Sequence, residues 1–152
     1  MEVCIQLSET ESKYSQLLSE ERILEEQLND LQSRMEIVSA QIQDHVNASV
    51  TMNNLKNEQG HDALIPIGAQ IFIRGTINDT SRVLIGLGAG ISVEKTVEQA
   101  SADIEARVSN MQKLLGSLRD EYAKTAEKVN ALRSQLGETA QEIMKDRKKP
   151  TK

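Results

Sequence analysis

The sequence predicts an α+β chain in which a long antiparallel two-helix coiled coil is joined through two central β-hairpins. Three observations lead there. Heptad-patterned rods of nearly equal length stand at both ends, the segment between them changes to a glycine-punctuated strand pattern, and that segment repeats itself at an offset of twenty. Rods joined in this order fold back on one another and bring both termini to one distal tip.

The first rod has an a/d seam at Val3, Leu7, Thr10, Tyr14, Leu17, Glu21, Leu24, Leu28, Leu31, Met35, Val38, Ile42, His45, Ser49 and Met52. The steps alternate strictly between 4 and 3, and eleven of the fifteen positions are apolar. A 3.5-residue repeat sustained this long specifies a left-handed coiled coil, because the stripe of a globular helix drifts at 3.6. At about 1.5 Å per residue the arm would run roughly 70 Å. The pattern stops at Asn57-Glu58-Gln59-Gly60-His61-Asp62, where Gly60 terminates a helix and the polar cluster forms a loop.

From Ala63 to Ile77 the chain is rich in β-branched residues, Asn78-Asp79-Thr80-Ser81 supplies turn chemistry, and Arg82 to Lys95 resumes the strand pattern. Ile65-Pro66-Ile67-Gly68-Ala69-Gln70-Ile71-Phe72-Ile73 aligns with Ile85-Gly86-Leu87-Gly88-Ala89-Gly90-Ile91-Ser92-Val93. Each half reads as two short strands joined by a Gly-Ala bend, giving two hairpins folded across each other. Ile65, Ile67, Ile71, Phe72, Ile73, Val83, Leu84, Ile85, Leu87, Ile91 and Val93 are the candidate assembly residues. About thirty residues of sheet that are apolar on both faces cannot bury themselves. A barrel or sandwich shared with other subunits would cover them and remove the open edges.

Thr96, with Gln99 three residues on, is a capping box that opens the second rod. Its seam is Val97, Ser101, Ile104, Val108, Met111, Leu115, Leu118, Tyr122, Thr125, Val129, Leu132, Leu136, Thr139 and Ile143, with eleven of fourteen apolar. The expected organisation is therefore a first arm over 1–56, an oligomerisation body over 57–96, a second arm over 97–146 and a basic disordered tail over 147–152. Residues 1–54 carry ten acids and three bases, while 97–152 carry nine acids and eleven bases. This complementarity favours pairing of the arms, but solvated pairs are each worth tenths of a kcal/mol and cannot carry it.

Composition points the same way. Only Tyr14, Phe72 and Tyr122 are aromatic and 27% of residues are charged, too few large side chains for one globular core of this length. Cys4 is the single cysteine, so no intramolecular disulfide forms, and its expected role is that of a small hydrophobe. No charged segment followed by an apolar one opens the chain and no run of 18 apolar residues occurs, which reads as soluble and cytoplasmic. Asn47-Ala48-Ser49 and Asn78-Asp79-Thr80 match the glycosylation sequon and are read as chance matches.

The order of helix, Leu64-Ile65-Pro66-Ile67-Gly68-Ala69, hydrophobic strand, Asn78-Asp79-Thr80, Val83-Leu84-Ile85-Gly86-Leu87-Gly88-Ala89-Gly90, Val93-Glu94-Lys95 and helix resembles the alpha-type subunits of the prefoldin family, the archaeal form above all. The resemblance covers essentially the whole chain; residues 64–95 match in motif, and the arms match in pattern only. It implies a heterohexamer of two alpha and four beta subunits with a β-barrel body and six coiled coils hanging from it. It further implies a chaperone that holds unfolded proteins and passes them to a group II chaperonin without ATP. Beta-type subunits have one hairpin, so the duplicated motif points to the alpha class.

No catalytic, metal or cofactor site is expected. Gly86-Leu87-Gly88-Ala89-Gly90 invites a dinucleotide reading, but Ile91 stands where the third glycine is needed and a strand follows where a helix should open. His45 lies on a seam and His61 in a loop, neither with a second ligand at metal spacing. His45 is read as fixing register or tolerating looser packing. The acids are spread over helix faces, and no nucleophile, base and orienter set emerges. The tail bases Lys145, Arg147, Lys148, Lys149 and Lys152 lack aromatic interleaving, so nucleic acid is not the expected partner; solubility or chaperonin docking by charge explains them equally well.

At the distal tip, Val3, Ile5, Leu7, Leu136, Ile143 and Met144 are the candidate client contacts, offering apolar surface on mobile helix ends. Each gives about 1.5–3 kcal/mol when fully buried, so one arm binds weakly and several bind by avidity. The alternative is that these residues finish the coiled-coil seam. For the whole chain the alternative is a structural adaptor that is dimerised by its β segment; that reading leaves the repeated hairpin without a reason.

Overall fold

The computed structural model describes the backbone of residues 2–147 and the side chains of residues 9–146. Helix α1 spans Glu2–Leu55, strands β1 to β4 span Asp62–Gly68, Ile71–Thr76, Arg82–Gly88 and Ile91–Thr96, and helix α2 spans Val97–Arg147. This is the expected architecture of two long helices with two antiparallel hairpins between them. The hairpins are separate two-stranded sheets, β1 with β2 and β3 with β4, and one chain closes no barrel.

The chain divides into two compact units, Met1–Ile37 with Leu115–Lys152, and Val38–Leu114. In the first, α1 and α2 pack along the heptad seam, with a core layer of Leu17, Leu132 and Leu136 flanked by Tyr14 and Leu24. The heptad reading holds over the described side chains of both helices. Every seam position from Thr10 to Met52 and from Val97 to Ile143 is buried or half-buried. Elsewhere in the described parts of the helices, only Glu25, Ala100, Asp103, Ala126, Ala140 and Asp146 are buried or half-buried.

Glu21, a charged residue on the seam, is accommodated by a neighbour from the other helix. Arg133 Nε donates to Glu21 Oε1 at 2.7 Å while its Nη2 donates to Glu25 Oε1. Both bonds hold the guanidinium above its usual pKa, Glu21 contributing most. The polar seam residues Thr125 and Thr139 are buried by turning their hydroxyls back onto the carbonyls of Glu121 at 2.9 Å and Gln135 at 2.8 Å. These bonds satisfy the hydroxyls without a partner helix.

In the second unit the capping box is present as a reciprocal pair. Thr96 N–H donates to Gln99 Oε1 at 3.2 Å and Gln99 N–H donates to Thr96 Oγ1 at 3.3 Å. Glu98 in the first turn is held below its usual pKa, chiefly by its own backbone N–H, then by Thr96 and by Lys56, whose Nζ lies 3.8 Å away. The loop between the hairpins is tied to the helix ends. Thr80 Oγ1 donates to the Lys56 carbonyl at 3.1 Å, and Val97 N–H donates to the Ser81 carbonyl at 3.2 Å. Asp79 accepts from the Ser81 hydroxyl at 2.6 Å and from its N–H at 2.7 Å, bonds that lower its pKa.

Candidate functional site

The hairpins are two copies of one design. In the first, Asp62 pairs with Thr76, Leu64 with Arg74, Ile65 with Ile73 and Pro66 with Phe72, and the ladder then shifts so that Gly68 meets Ile71. In the second, Arg82 pairs with Thr96, Leu84 with Glu94, Ile85 with Val93 and Gly86 with Ser92, with the same shift bringing Gly88 to Ile91. Every pair of the second hairpin is the first displaced by twenty. The corners match as well: Ala69 and Gln70 have φ of 48° and 61°, and Ala89 and Gly90 have 49° and 77°. Two consecutive positive φ values make a two-residue turn of the kind that suits twisted hairpins. Gly68 and Gly88 precede these turns at φ of 110° and 95°, a region a side chain would strain.

Strand alternation divides the apolar residues between faces. Ile65, Ile67, Ile71 and Ile73 share one face of the first hairpin, and Val83, Ile85, Leu87, Ile91 and Val93 share the matching face of the second. Phe72 and Leu84, which the sequence grouped with them, lie on the opposite faces. There the copies differ. The first hairpin presents Leu64, Pro66 and Phe72, whereas the second presents Gly86, Ser92 and an Arg82–Glu94 ion pair at 3.5 Å beside Leu84.

Nine of the eleven candidate assembly residues are exposed, including Ile73 at 49%, Phe72 at 54% and Ile91 at 60%. Val83 and Ile85 are half-buried and line a cleft of about 480 Å³ with His45, Ala48 and Met52 of α1 and Ala100 and Ile104 of α2. Lys95, on the same face of β4, reaches Asp103 of α2 at 2.5 Å. His45 places Nδ1 2.8 Å from the Gln41 carbonyl, a bond within its own helix. Leu64, 65% exposed, stands beside Phe72 on the same face of the first hairpin.

Of the distal candidates, Ile143 is half-buried and Met144 is 66% exposed. Together with Glu11, Tyr14 and Ala140 they line a groove of about 410 Å³. Leu136 is only 8% exposed, packed in the layer with Leu17 and Leu132. The side chains of Val3, Ile5 and Leu7 lie outside the described residues, as does that of Cys4. The tail side chains of Arg147, Lys148, Lys149 and Lys152 lie outside them too.

Among the described residues, no group of three or more His, Cys, Asp or Glu side chains is placed to hold a metal. No helix among them is long and apolar enough to cross a membrane. What the site offers is apolar surface, a means of association.

Comparison with known proteins converges on one group. The family model described as prefoldin subunit matches residues 24–146. The prefoldin subunit alpha of Methanobrevibacter smithii is 26% identical over 132 residues, 87% of this chain and 90% of that protein. The prefoldin subunit alpha of Methanococcoides burtonii is 29% identical over 134 residues, 87% of this chain and 89% of that protein. Among solved structures, a chain from the cryo-EM structure of filamentous PFD from Methanocaldococcus jannaschii superposes with a TM-score of 0.67 at 22% identity. The match covers 75% of this chain and 95% of that one, and it shows a shared fold.

Proposed function

The chain belongs to the prefoldin family, whose members are chaperone subunits and not enzymes, and from that premise we propose that it is an alpha-type subunit of a cytoplasmic holdase. In this reading residues 57–96 enter a β-barrel body shared by two alpha and four beta subunits. The arms over 1–56 and 97–146 hang from it, capture unfolded proteins at their distal ends, prevent aggregation and pass the clients to a group II chaperonin without ATP.

The observation that carries the reading is the doubled hairpin with an uncovered apolar face. Ile65, Ile67, Ile71 and Ile73 and their counterparts Leu87, Ile91 and Val93 form faces left exposed among the described residues. Exposed apolar faces with open edges invite pairing with other subunits. Two hairpins per chain also fit an alpha-type subunit, which must contact more neighbours than a single-hairpin one. At the distal end, the groove between Tyr14 and Met144 offers non-directional apolar contact suited to clients without a fixed sequence.

Co-expression with the beta-type subunit, followed by an aggregation assay on reduced, denatured lysozyme without ATP, tests the proposal. Suppressed aggregation by a mixed complex, lost when Ile143 and Met144 are replaced by Ser, is the expected result. A stable homodimer that ignores both the beta subunit and the lysozyme would favour the adaptor reading instead.

A further inference from the structure

Client capture by the seam residues meets an obstacle, because Leu136 is packed against Leu17 and Leu132, and Ile143 is half-buried. The helix ends must separate before either is fully offered. On the near side of these ends lies the leucine layer of Leu17, Leu132 and Leu136, beside which Arg133 bridges Glu21 and Glu25. One turn beyond Arg133 stands Gly137, within α2.

Neither packing nor conformation calls for glycine there. A Cβ at Gly137 would meet nothing within 4 Å, and its φ is not positive. Yet a glycine inside a helix lowers the local helical population about fivefold relative to alanine. The residues around it loosen the same turn. Thr139 is buried on the seam where an apolar residue would cement the helices, and its hydroxyl bonds back to the Gln135 carbonyl at 2.8 Å, spanning Gly137. Such back-bonding weakens and bends helices. On α1 the corresponding stretch of seam holds Thr10 and Tyr14.

We propose that Gly137 is the fraying joint of α2, which sets how readily residues 138–146 open and so how much of Ile143 and Tyr14 is presented to an unfolded client. The inference rests on the client-capture reading and adds the step that exposes the surface. Local opening of this kind is a cooperative equilibrium whose free energy is set by the weakest segment.

Gly137→Ala in the full chain, assembled with its beta-type partner, is the test. Gly116→Ala is the control: Gly116 also sits in open space within α2, at the same heptad position three heptads earlier. Amide exchange over 138–146 is expected to slow about fivefold in Gly137→Ala and to be unchanged in Gly116→Ala. The amount of reduced, denatured lysozyme held per complex is expected to fall in Gly137→Ala alone. Unchanged exchange, or slowed exchange with undiminished holding, overturns the joint. A companion Ile143→Ser, Met144→Ser variant separates the two claims. If it loses holding while Gly137→Ala does not, the joint fails and the capture reading stands; if it holds lysozyme fully, the capture reading itself fails.

Discussion

The arms and the hairpins are both built on apolar periodicity, and they resolve it in opposite ways. In the arms every described seam position is buried or half-buried by the same chain, whereas in the hairpins nine of the eleven candidate assembly residues remain exposed. The cause is geometric. A helix needs one partner to cover its stripe, and the fold-back supplies it. A two-stranded hairpin has two faces and two edges, and its own turn closes only one edge pairing. The described arms are therefore covered within one chain, while the hairpins leave apolar faces open, as the proposed assembly requires.

The largest effect should come from charging the uncovered face. Ile73→Asp is expected to abolish the complex while leaving the helical signal of the arms intact, as read by light scattering and far-ultraviolet circular dichroism. Phe72→Asp probes the opposite face. Loss of assembly there would mean that the first hairpin is covered on both sides, and a monodisperse hexamer would confine the interface to the isoleucine face.

Next comes Leu132→Ala in the core layer of the arms, which should cost about 2–4 kcal/mol through lost burial and a cavity, seen as a lower thermal midpoint with assembly preserved. Assembly lost together with the core layer would break the separation between arms and body. Thr96→Ala removes one half of the capping box and should cost about 1 kcal/mol, with little change in the mass of the complex.

The smallest effects are electrostatic. Arg133→Met should lower the midpoint slightly at low salt, with the difference vanishing at about 1 M salt as the exposed clamp is screened. Asp79 has its folded pKa depressed below 3.8 by the Ser81 hydroxyl and N–H. Its contribution is thus fully present above the unfolded value and is lost as pH falls through the folded one. Asp79→Asn should therefore differ from the parent at neutral pH and converge with it in acid, in thermal melts across that range.

Much of this contrast was legible in the residues. The heptad seam depends on local spacing, so every described seam position from Thr10 to Ile143 is covered, while Ala100, fully buried off the seam, has no heptad signal. The offset of twenty carried even the strand register, since Ile65 with Ile73 and Ile85 with Val93 obey it. Other features depend on three-dimensional choices that spacing does not encode. Runs that are apolar on both faces hide the alternation, so the division that sets Phe72 and Leu84 opposite the isoleucines emerges only from the strand register. Glu21 was visible as a charge on the seam, but its partner Arg133 lies 112 residues away and reaches it through a long side chain.

Light scattering on this chain, alone and co-expressed with the beta-type subunit, tests most directly whether the hairpins are completed by other chains. A hexamer of two alpha and four beta chains, formed only when both are present, is the expected result. A stable homodimer indifferent to the beta subunit would contradict it.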